Sequence, residues 1–289
     1  MLTVLAPAKL NLTLEVLAKR ADGYHEIRSV IQAINLCDRL HFRLSQDINI
    51  KSDMPDWAPE KSLIARSVKL LQETTGCTKG VAIEVSKRIP FMSGLGGESS
   101  NAAATLLGMN KLWALGLSQK ELLEFSIQLG SDVAFFLYGG TALVEGRGGK
   151  VTPLPPLPDM WVVLVVPDVP RLPGKTGQLY NSLKPNHYTD GQITERLLTE
   201  LREGKEPSIL FNTFENVAFT HFSELKVYRD HIIKTGARNI HLAGSGPALF
   251  TLEKDKSRAE DLYNRCKQQN MAVYLTQTLA EHYLPTGNT

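Results

Sequence analysis

The stretch Pro90-Phe91-Met92-Ser93-Gly94-Leu95-Gly96-Gly97-Glu98-Ser99-Ser100-Asn101-Ala102-Ala103-Ala104 constrains this chain more than any other. Three glycines and two adjacent serines crowd into one turn, and an alanine-rich, leucine-bearing run follows directly. Glycine lets backbone N–H groups come close to a ligand. The start of a helix adds unpaired N–H groups and the positive end of the helix dipole. The order therefore predicts a strand-to-helix turn that holds an anion, above all a phosphate. A plain tight turn capped by serine is the alternative, because serine is a favoured N-cap. The rest of the chain must decide between them.

The flanking pattern predicts an α/β chain. Residues 2–17 alternate like a strand around Pro7-Ala8-Lys9, with Leu10, Leu12, Leu14 and Val16 on one side. Asn11, Thr13 and Glu15 take the other, so Lys9 is expected to start a strand on its polar face. Asp22-Gly23 is a hairpin signal, and strands are expected over 25–36 and 39–44. Ser62 opens a helical pattern to Gln72, and Val81–Val85 reads as the strand that enters the glycine turn. The helix after the turn is expected to reach about Leu115. Ser118 with Glu121 forms a capping-box pattern for another helix, ending near Gly130. Strands are expected around Gly139-Gly140 and Arg147-Gly148-Gly149. Four prolines within Val151–Pro158 mark the best domain boundary, dividing 1–157 from 158–289. Beyond it come a buried strand at Trp161–Val166, helices over 176–236, and a second glycine turn, Ala243-Gly244-Ser245-Gly246-Pro247. A strand, a helix over 257–269 and a last strand follow, in a βαβ-like order.

Composition excludes several classes of function. With 289 residues and 43% hydrophobic content, the chain can bury a full core. Its net charge of +2 disfavours nucleic acid as the main partner. Cys37, Cys77 and Cys266 are odd in number and far apart, which suits a reducing cytoplasm and no disulfide framework. No apolar run reaches membrane-spanning length, and Met1 leads straight into a strand, so no targeting segment is expected.

Two rival phosphate motifs fail on spacing. Gly174-Lys175-Thr176 has the end of a P-loop, but Val169 stands where its first glycine is required. Pro170 and Pro173 also supply no N–H groups there. No complete G-x-G-x-x-G occurs; Ser99 and Leu249 take the place of the last glycine.

Four stretches instead resemble one family. They are Ala6-Pro7-Ala8-Lys9-Leu10-Asn11-Leu12, Arg20-Ala21-Asp22-Gly23-Tyr24-His25-Glu26, the glycine turn, and Gly130-Ser131-Asp132-Val133-Ala134-Phe135-Phe136. The family is the GHMP kinases, and Gly244-Ser245-Gly246-Pro247 resembles its third glycine motif. The first two stretches point to the branch that acts on a cytidyl-diphospho sugar alcohol. The resemblance implies a two-domain α+β fold: an N-terminal ribosomal-protein-S5-like domain and a C-terminal ferredoxin-like domain, with the active site in the cleft. It implies ATP as co-substrate and phosphorylation of the 2-hydroxyl of 4-diphosphocytidyl-2-C-methyl-D-erythritol, in non-mevalonate isoprenoid synthesis. Mg²⁺ is expected from the chemistry, with its ligands unknown.

The residue roles follow from the resemblance. Asp132 is the expected base and Lys9 its cationic neighbour. Pro90, Gly94, Leu95, Gly96, Gly97, Ser99, Ser100 and Asn101 are expected at ATP. Tyr24 stacks on cytosine and His25 hydrogen-bonds its edge. Asn11, Thr176, Tyr180, Gly244, Ser245 and Gly246 complete the substrate side, with Tyr180 as the second aromatic. Trp113, Phe135 and Phe136 read as core. Taken singly, Asp132 is also readable as a helix cap, Lys9 as a solvated lysine and Tyr24 as hairpin packing.

Three positions depart from the family pattern. Glu98 stands where a small residue is usual and is expected to point away from the phosphates. Met92 is bulkier than usual, and Ser62-Leu63 replaces Asn-Leu beside an adenine pocket expected between that helix and Lys87–Pro90. Two rivals stay open: a homoserine- or mevalonate-type kinase, and a nucleotide-binding relative silenced by Glu98. Oligomeric state is not legible in the sequence.

Overall fold

The computed structural model describes residues 1–55, 57–170 and 173–281, in two sheets. The larger begins with β1 (Leu2–Lys19) and β2 (His25–Ser45), antiparallel and joined through the Asp22-Gly23 turn. The two strands expected over 25–44 are one. Pairing shifts from Pro7↔Cys37 to Ala8↔Ile34, so β2 bulges opposite Pro7, which has no N–H for the ladder.

The chain continues through β3 (Ile48–Ser52), α1 (Leu63–Thr75), β4 (Gly80–Ser86), α2 (Gly97–Leu112), α3 (Gln119–Leu129), α4 (Val133–Tyr138), β5 (Thr141–Gly146) and β6 (Lys150–Pro153). Ser62 caps α1, its Oγ accepting from Ala65 N at 3.2 Å. The Ser118–Glu121 capping box opens α3. Strand order is β3-β4-β2-β1, with β5 on the other stretch of β2 and β6 on β5. Helix α2 lies tight on this sheet because its inner face is small. Ala102, Ala103 and Ala104 are buried, and a Cβ on Gly108 would come within 2.8 Å of the Phe42 ring. Trp113, Phe135 and Phe136 are core, as expected.

The second half holds β7 (Trp161–Val165), α5 (Lys175–Ser182), α6 (Gln192–Arg202), β8 (Phe211–Asn212), α7 (Glu215–His221), α8 (Ser223–Thr235), β9 (His241–Leu242), β10 (Leu249–Glu253), α9 (Lys256–Gln268) and β11 (Val273–Gln277). Its sheet, β11-β7-β10-β9, is antiparallel throughout. The βαβ-like order is real for β10-α9-β11, but β7 sits between those two strands.

Strand β1 is buried on both faces, which corrects the expected polar face. Asn11, Thr13 and Glu15 are all at most 4% exposed. The second half covers this strand: β8 pairs with it in parallel, and Glu15 Oε2 accepts from Thr194 N in the first turn of α6 at 2.7 Å. Ala8 and Leu10 pack with Val162, Leu164 and Phe250, while Leu14 and Val16 join Val163, Leu179 and Phe214. The halves thus share hydrophobic core. Among the described residues no helix is long and apolar enough to cross a membrane. The three cysteines are free, and burial pushes the Cys37 thiol up to about 12.

Candidate active site

The two glycine turns meet back to back. Gly94 and Gly96 adopt φ of 87° and 75°, and Gly244 adopts 55°, all in the left-handed region that favours glycine. A Cβ on Gly94 would fall 2.1 Å from Ala243 O, and one on Gly244 2.8 Å from Gly94 O. Ala248 N donates to Ser93 O at 3.1 Å, and Lys9 N donates to Leu95 O at 2.9 Å. Buried Asn212 fixes the second turn, donating to Leu242 O at 2.8 Å and Gly244 O at 2.7 Å. No side-chain feature of Asn212 in the sequence signals this role.

A cavity of about 640 Å³ opens at this junction. Of the residues expected at the site, Lys9, Asn11, Tyr24, His25, Gly94, Gly96, Ser99, Asp132, Thr176, Tyr180, Gly244 and Ser245 line it. Pro90, Leu95, Gly97, Ser100, Asn101 and Gly246 do not. The Leu95 side chain is core, so only its backbone is near the turn. Ser100 and Asn101 face inward on α2, buried, with no hydrogen-bond partner for their side-chain polar atoms among the described residues. Gly97 packs on Ile89, Gly246 O accepts from Lys175 Nζ, and Pro90 borders a different cavity.

Lys9 and Asp132 stand together. Lys9 lies in the middle of β1, 4% exposed, where a solvated lysine is excluded. Its Nζ donates to Asn11 Oδ1 at 2.6 Å and stands 3.5 Å from Asp132 Oδ2. Asn11 Nδ2 donates to Ser29 Oγ at 2.8 Å, and Ser29 Oγ donates to Thr13 O at 2.5 Å, so the amide orientation is fixed from behind. Asp132 occupies the N-cap position of α4, yet its side chain makes no capping hydrogen bond. It is 38% exposed and faces the cavity. A carboxylate left free of its cap and placed beside a buried ammonium is available to accept a proton from a hydroxyl.

The aromatic end differs in detail from the expected pair. His25 stacks on Tyr180, with ring centroids 4.6 Å apart and 18° between planes. Tyr180 meets Phe214 edge-on at 4.8 Å. Tyr24 is 52% exposed and covered on one face by the Arg147 guanidinium, 3.6 Å from the ring centroid. Burial, with Lys19 adding to it, holds the His25 imidazole below its usual range, so it is neutral at pH 7. Burial pushes the Tyr180 phenol up, and the Asp132 charge adds to that. Thr176 Oγ1 lies 2.8 Å from Ser245 Oγ, joining α5 to the second glycine turn. Arg147, Lys175 and Phe214 also line the cavity. The sequence offers Arg147 only as part of a glycine turn and Lys175 only as part of a failed P-loop.

Glu98 turns away from the cavity, as expected. Its Oε2 lies 3.5 Å from Leu63 N at the start of α1, and its Oε1 lies 3.9 Å from Lys87 Nζ. The Lys87 side chain is 4% exposed and also pairs with buried Asp38, which accepts from Arg88 N at 2.7 Å and Ile89 N at 2.8 Å. The carboxylate at the rim is therefore matched by a cation and a helix N-terminus. Met92 lines the cavity at a φ of 52°.

A glycine turn at the start of a helix, a carboxylate–ammonium pair and an aromatic cluster share one cleft, an arrangement suited to a small-molecule phosphotransferase. The chain belongs to the GHMP kinase family: the model of the GHMP kinases N terminal domain matches residues 62–140, and that of the GHMP kinases C terminal domain matches 192–272. A 4-diphosphocytidyl-2-C-methyl-D-erythritol kinase of Dehalococcoides mccartyi is 51% identical over 280 residues, covering 96% of this chain and 99% of the relative. The kinase of the same name from a Geobacillus species is 37% identical over 289 residues, covering 98% of both. A crystal structure of 4-(cytidine 5'-diphospho)-2C-methyl-D-erythritol kinase superposes with a TM-score of 0.82 at 33% identity, covering 96% of this chain and 98% of that one. A homoserine kinase from Cytophaga hutchinsonii shares the fold, with a TM-score of 0.71 at 21% identity.

Proposed function

We propose that this chain transfers the terminal phosphoryl group of ATP to the 2-hydroxyl of 4-diphosphocytidyl-2-C-methyl-D-erythritol, a step in non-mevalonate isoprenoid precursor synthesis. The observation that carries it is the Lys9–Asp132 pair, set in one cavity with the glycine turn on one side and the His25–Tyr180 cluster on the other. Whole-chain likeness to kinases of that substrate supports it. The homoserine kinase likeness extends to fold alone. The silent-relative reading loses its motive, because Glu98 is directed at Lys87 and Leu63 rather than at the phosphates.

Phosphoryl transfer asks the protein for positioning and charge more than for covalent chemistry. Backbone N–H groups of Gly94–Gly97 and the start of α2 hold the phosphates. Asp132 takes the proton of the 2-hydroxyl as its oxygen bonds to the γ-phosphorus and the bond to ADP breaks. Lys9, held by Asn11, orients that hydroxyl and offsets the charge that develops. His25 presents a neutral edge to cytosine and Tyr24 stacks on the base, with Tyr180 packed behind the His25 ring. Gly244, Ser245 and Thr176 close the substrate side. The turn is tied to its surroundings by backbone bonds, from Lys9 N to Leu95 O and from Ser100 N to Gly96 O, each at 2.9 Å.

Among the described residues no group of three or more His, Cys, Asp or Glu side chains forms a metal cage. We infer that Mg²⁺ would arrive on the ATP phosphates, which would supply most of its ligands. When bound it neutralises phosphate charge. We assign residues 1–157 and 158–289 to two domains with the cleft between them, and the reducing cytoplasm suits the three free thiols.

The test is ADP release with Mg²⁺, ATP and the cytidyl substrate. Asp132→Ala is expected to lose at least about 100-fold in kcat, the scale of general-base catalysis, with both ligands still bound. Tyr24→Ala is expected to lose affinity for CMP-bearing ligands. No turnover by the wild-type protein while ATP binds would overturn the assignment. Substantial activity in Asp132→Ala would remove Asp132 as the base.

A further inference from the structure

The cavity has a cation whose partners are few. Lys9 is committed to Asn11 and Asp132, and Lys175 donates to Gly246 O. Arg147 has the face of Tyr24 at 3.6 Å and a long contact to Asp22, 3.8 Å from Nη1 to Oδ2. Its side chain is 48% exposed. Asp22 is itself shared with Arg20, at 3.2 Å.

The position of Arg147 is set by a close backbone fit. It lies in the turn between β5 and β6, and Gly148 beside it presses on the loop that carries Asp132. A Cβ on Gly148, whose φ is 99°, would fall 3.0 Å from both Ser131 Cβ and Ser131 O. One tight turn therefore links the Tyr24 hairpin to the Asp132 loop, with a guanidinium projecting between them into the cavity.

A cytidyl-diphospho substrate must place its base at Tyr24 and its reacting hydroxyl at Asp132. Its diphosphate then lies between those two points. A guanidinium is the side chain best shaped to pair with phosphate oxygens bidentately. In this structure the same guanidinium lies over one face of the Tyr24 ring, 3.6 Å from its centroid, in competition with any base that stacks there. We propose that Arg147 is a latch on the substrate's nucleotide half: it covers Tyr24 when the site is empty, and pairs with the diphosphate when cytosine takes that ring face. The latch rests on the cytidyl assignment above. It makes the diphosphate necessary for full access of the base, and so selects against free cytidine.

The test is binding of cytidine and of CDP to the wild-type protein and to Arg147→Met and Arg147→Lys, by calorimetry without ATP. Removing the guanidinium uncovers Tyr24, so Arg147→Met is expected to bind cytidine about two- to fivefold more tightly, the worth of an exposed cation–π contact. It is expected to bind CDP about tenfold or more weakly, through loss of a charge-assisted hydrogen bond. Arg147→Lys is expected to recover part of the CDP affinity, because it keeps the charge without the fork. Changes of opposite sign for the two ligands support the latch and are not produced by misfolding, which weakens both. Equal weakening of both ligands, or no change in either, overturns it. Wild-type protein that binds neither ligand overturns the cytidyl assignment and the latch together; wild-type binding with an unchanged CDP-to-cytidine ratio in Arg147→Met overturns the latch alone.

Discussion

The contact between the two glycine turns makes Gly94→Ala the sharpest perturbation available. The substitution has two costs that the structure separates. A side chain at a φ of 87° costs about 1–2 kcal/mol in backbone strain. The added Cβ also meets backbone: Ala243 O at 2.1 Å and Gly246 N at 2.7 Å, where ordinary contact begins at 3.4 Å. No rotamer relieves a clash with backbone. The turns must therefore part by roughly 1.3 Å, the gap between 2.1 Å and 3.4 Å. That movement separates the phosphate turn from Gly244 and Ser245, and a misplacement of about 1 Å costs about 100-fold in rate. The assay is steady-state ADP release with both substrates varied, alongside thermal unfolding. Gly116→Ala is the control: its φ is 69°, nothing lies within 4 Å of its Cβ, and it does not line the cavity. It is expected to lose a comparable 1–2 kcal/mol of stability, roughly, with kcat unchanged. The reasoning is refuted if Gly94→Ala keeps kcat within about threefold of wild type, since the clash would then be absorbed without moving the phosphate turn.

Three further outcomes follow from the same geometry. Glu98→Gln is expected to change the KM for ATP by less than about threefold, whereas a carboxylate that repelled the phosphates would give a gain of about tenfold on removal, or 1.4 kcal/mol. Steady-state kinetics at low salt tell these apart. The depressed His25 titration makes the native state bind fewer protons than the unfolded chain as pH falls below 6.5. Its contribution to stability is thus full above that pH and lost below it. The KM for the cytidyl substrate is expected to rise over the same acid range, and His25→Asn removes that limb from the pH profile. Asn212→Ala strips the second glycine turn of two donor bonds and leaves Phe214 N without its acceptor. A loss of roughly 2–3 kcal/mol is expected in denaturant unfolding.

What the sequence made legible was local chemistry. Ser62, and Ser118 with Glu121, fix helix starts through their own side chains, so those helices were readable from a few residues. The first glycine turn and the Asp22-Gly23 hairpin are likewise set by glycine at positive φ. Strand β3 was missed because it is a short, largely exposed edge with little alternation to read. The continuity of β2 was missed because the bulge opposite Pro7 breaks its periodicity. Arg147 could not be assigned a function, since its meaning depends on Tyr24 and Ser131 lying on either side of it in space.

The deeper limit concerns β1. Alternation along 2–17 gives one apolar and one polar side, and the ordinary inference is that the polar side meets water. Here the second half of the chain covers it, and the polar residues become internal machinery. Glu15 caps α6, Thr13 accepts from Thr194 at 2.9 Å, and Asn11 holds Lys9. The consequence is chemical as well as architectural. An ammonium on a solvated strand end would be hydrated and mobile, with little power to orient a hydroxyl. Buried to 4% and tied to Asn11 it has one direction, toward Asp132. The residues that cover the strand lie near Thr194 and Asn212, and their polar atoms pair with β1 and with the second glycine turn. The second half therefore supplies part of the cavity wall and, by excluding water from β1, the rigidity of a side chain in the first half. That places the origin of the Lys9–Asp132 pair in the packing between halves, beyond the reach of any motif that contains either residue.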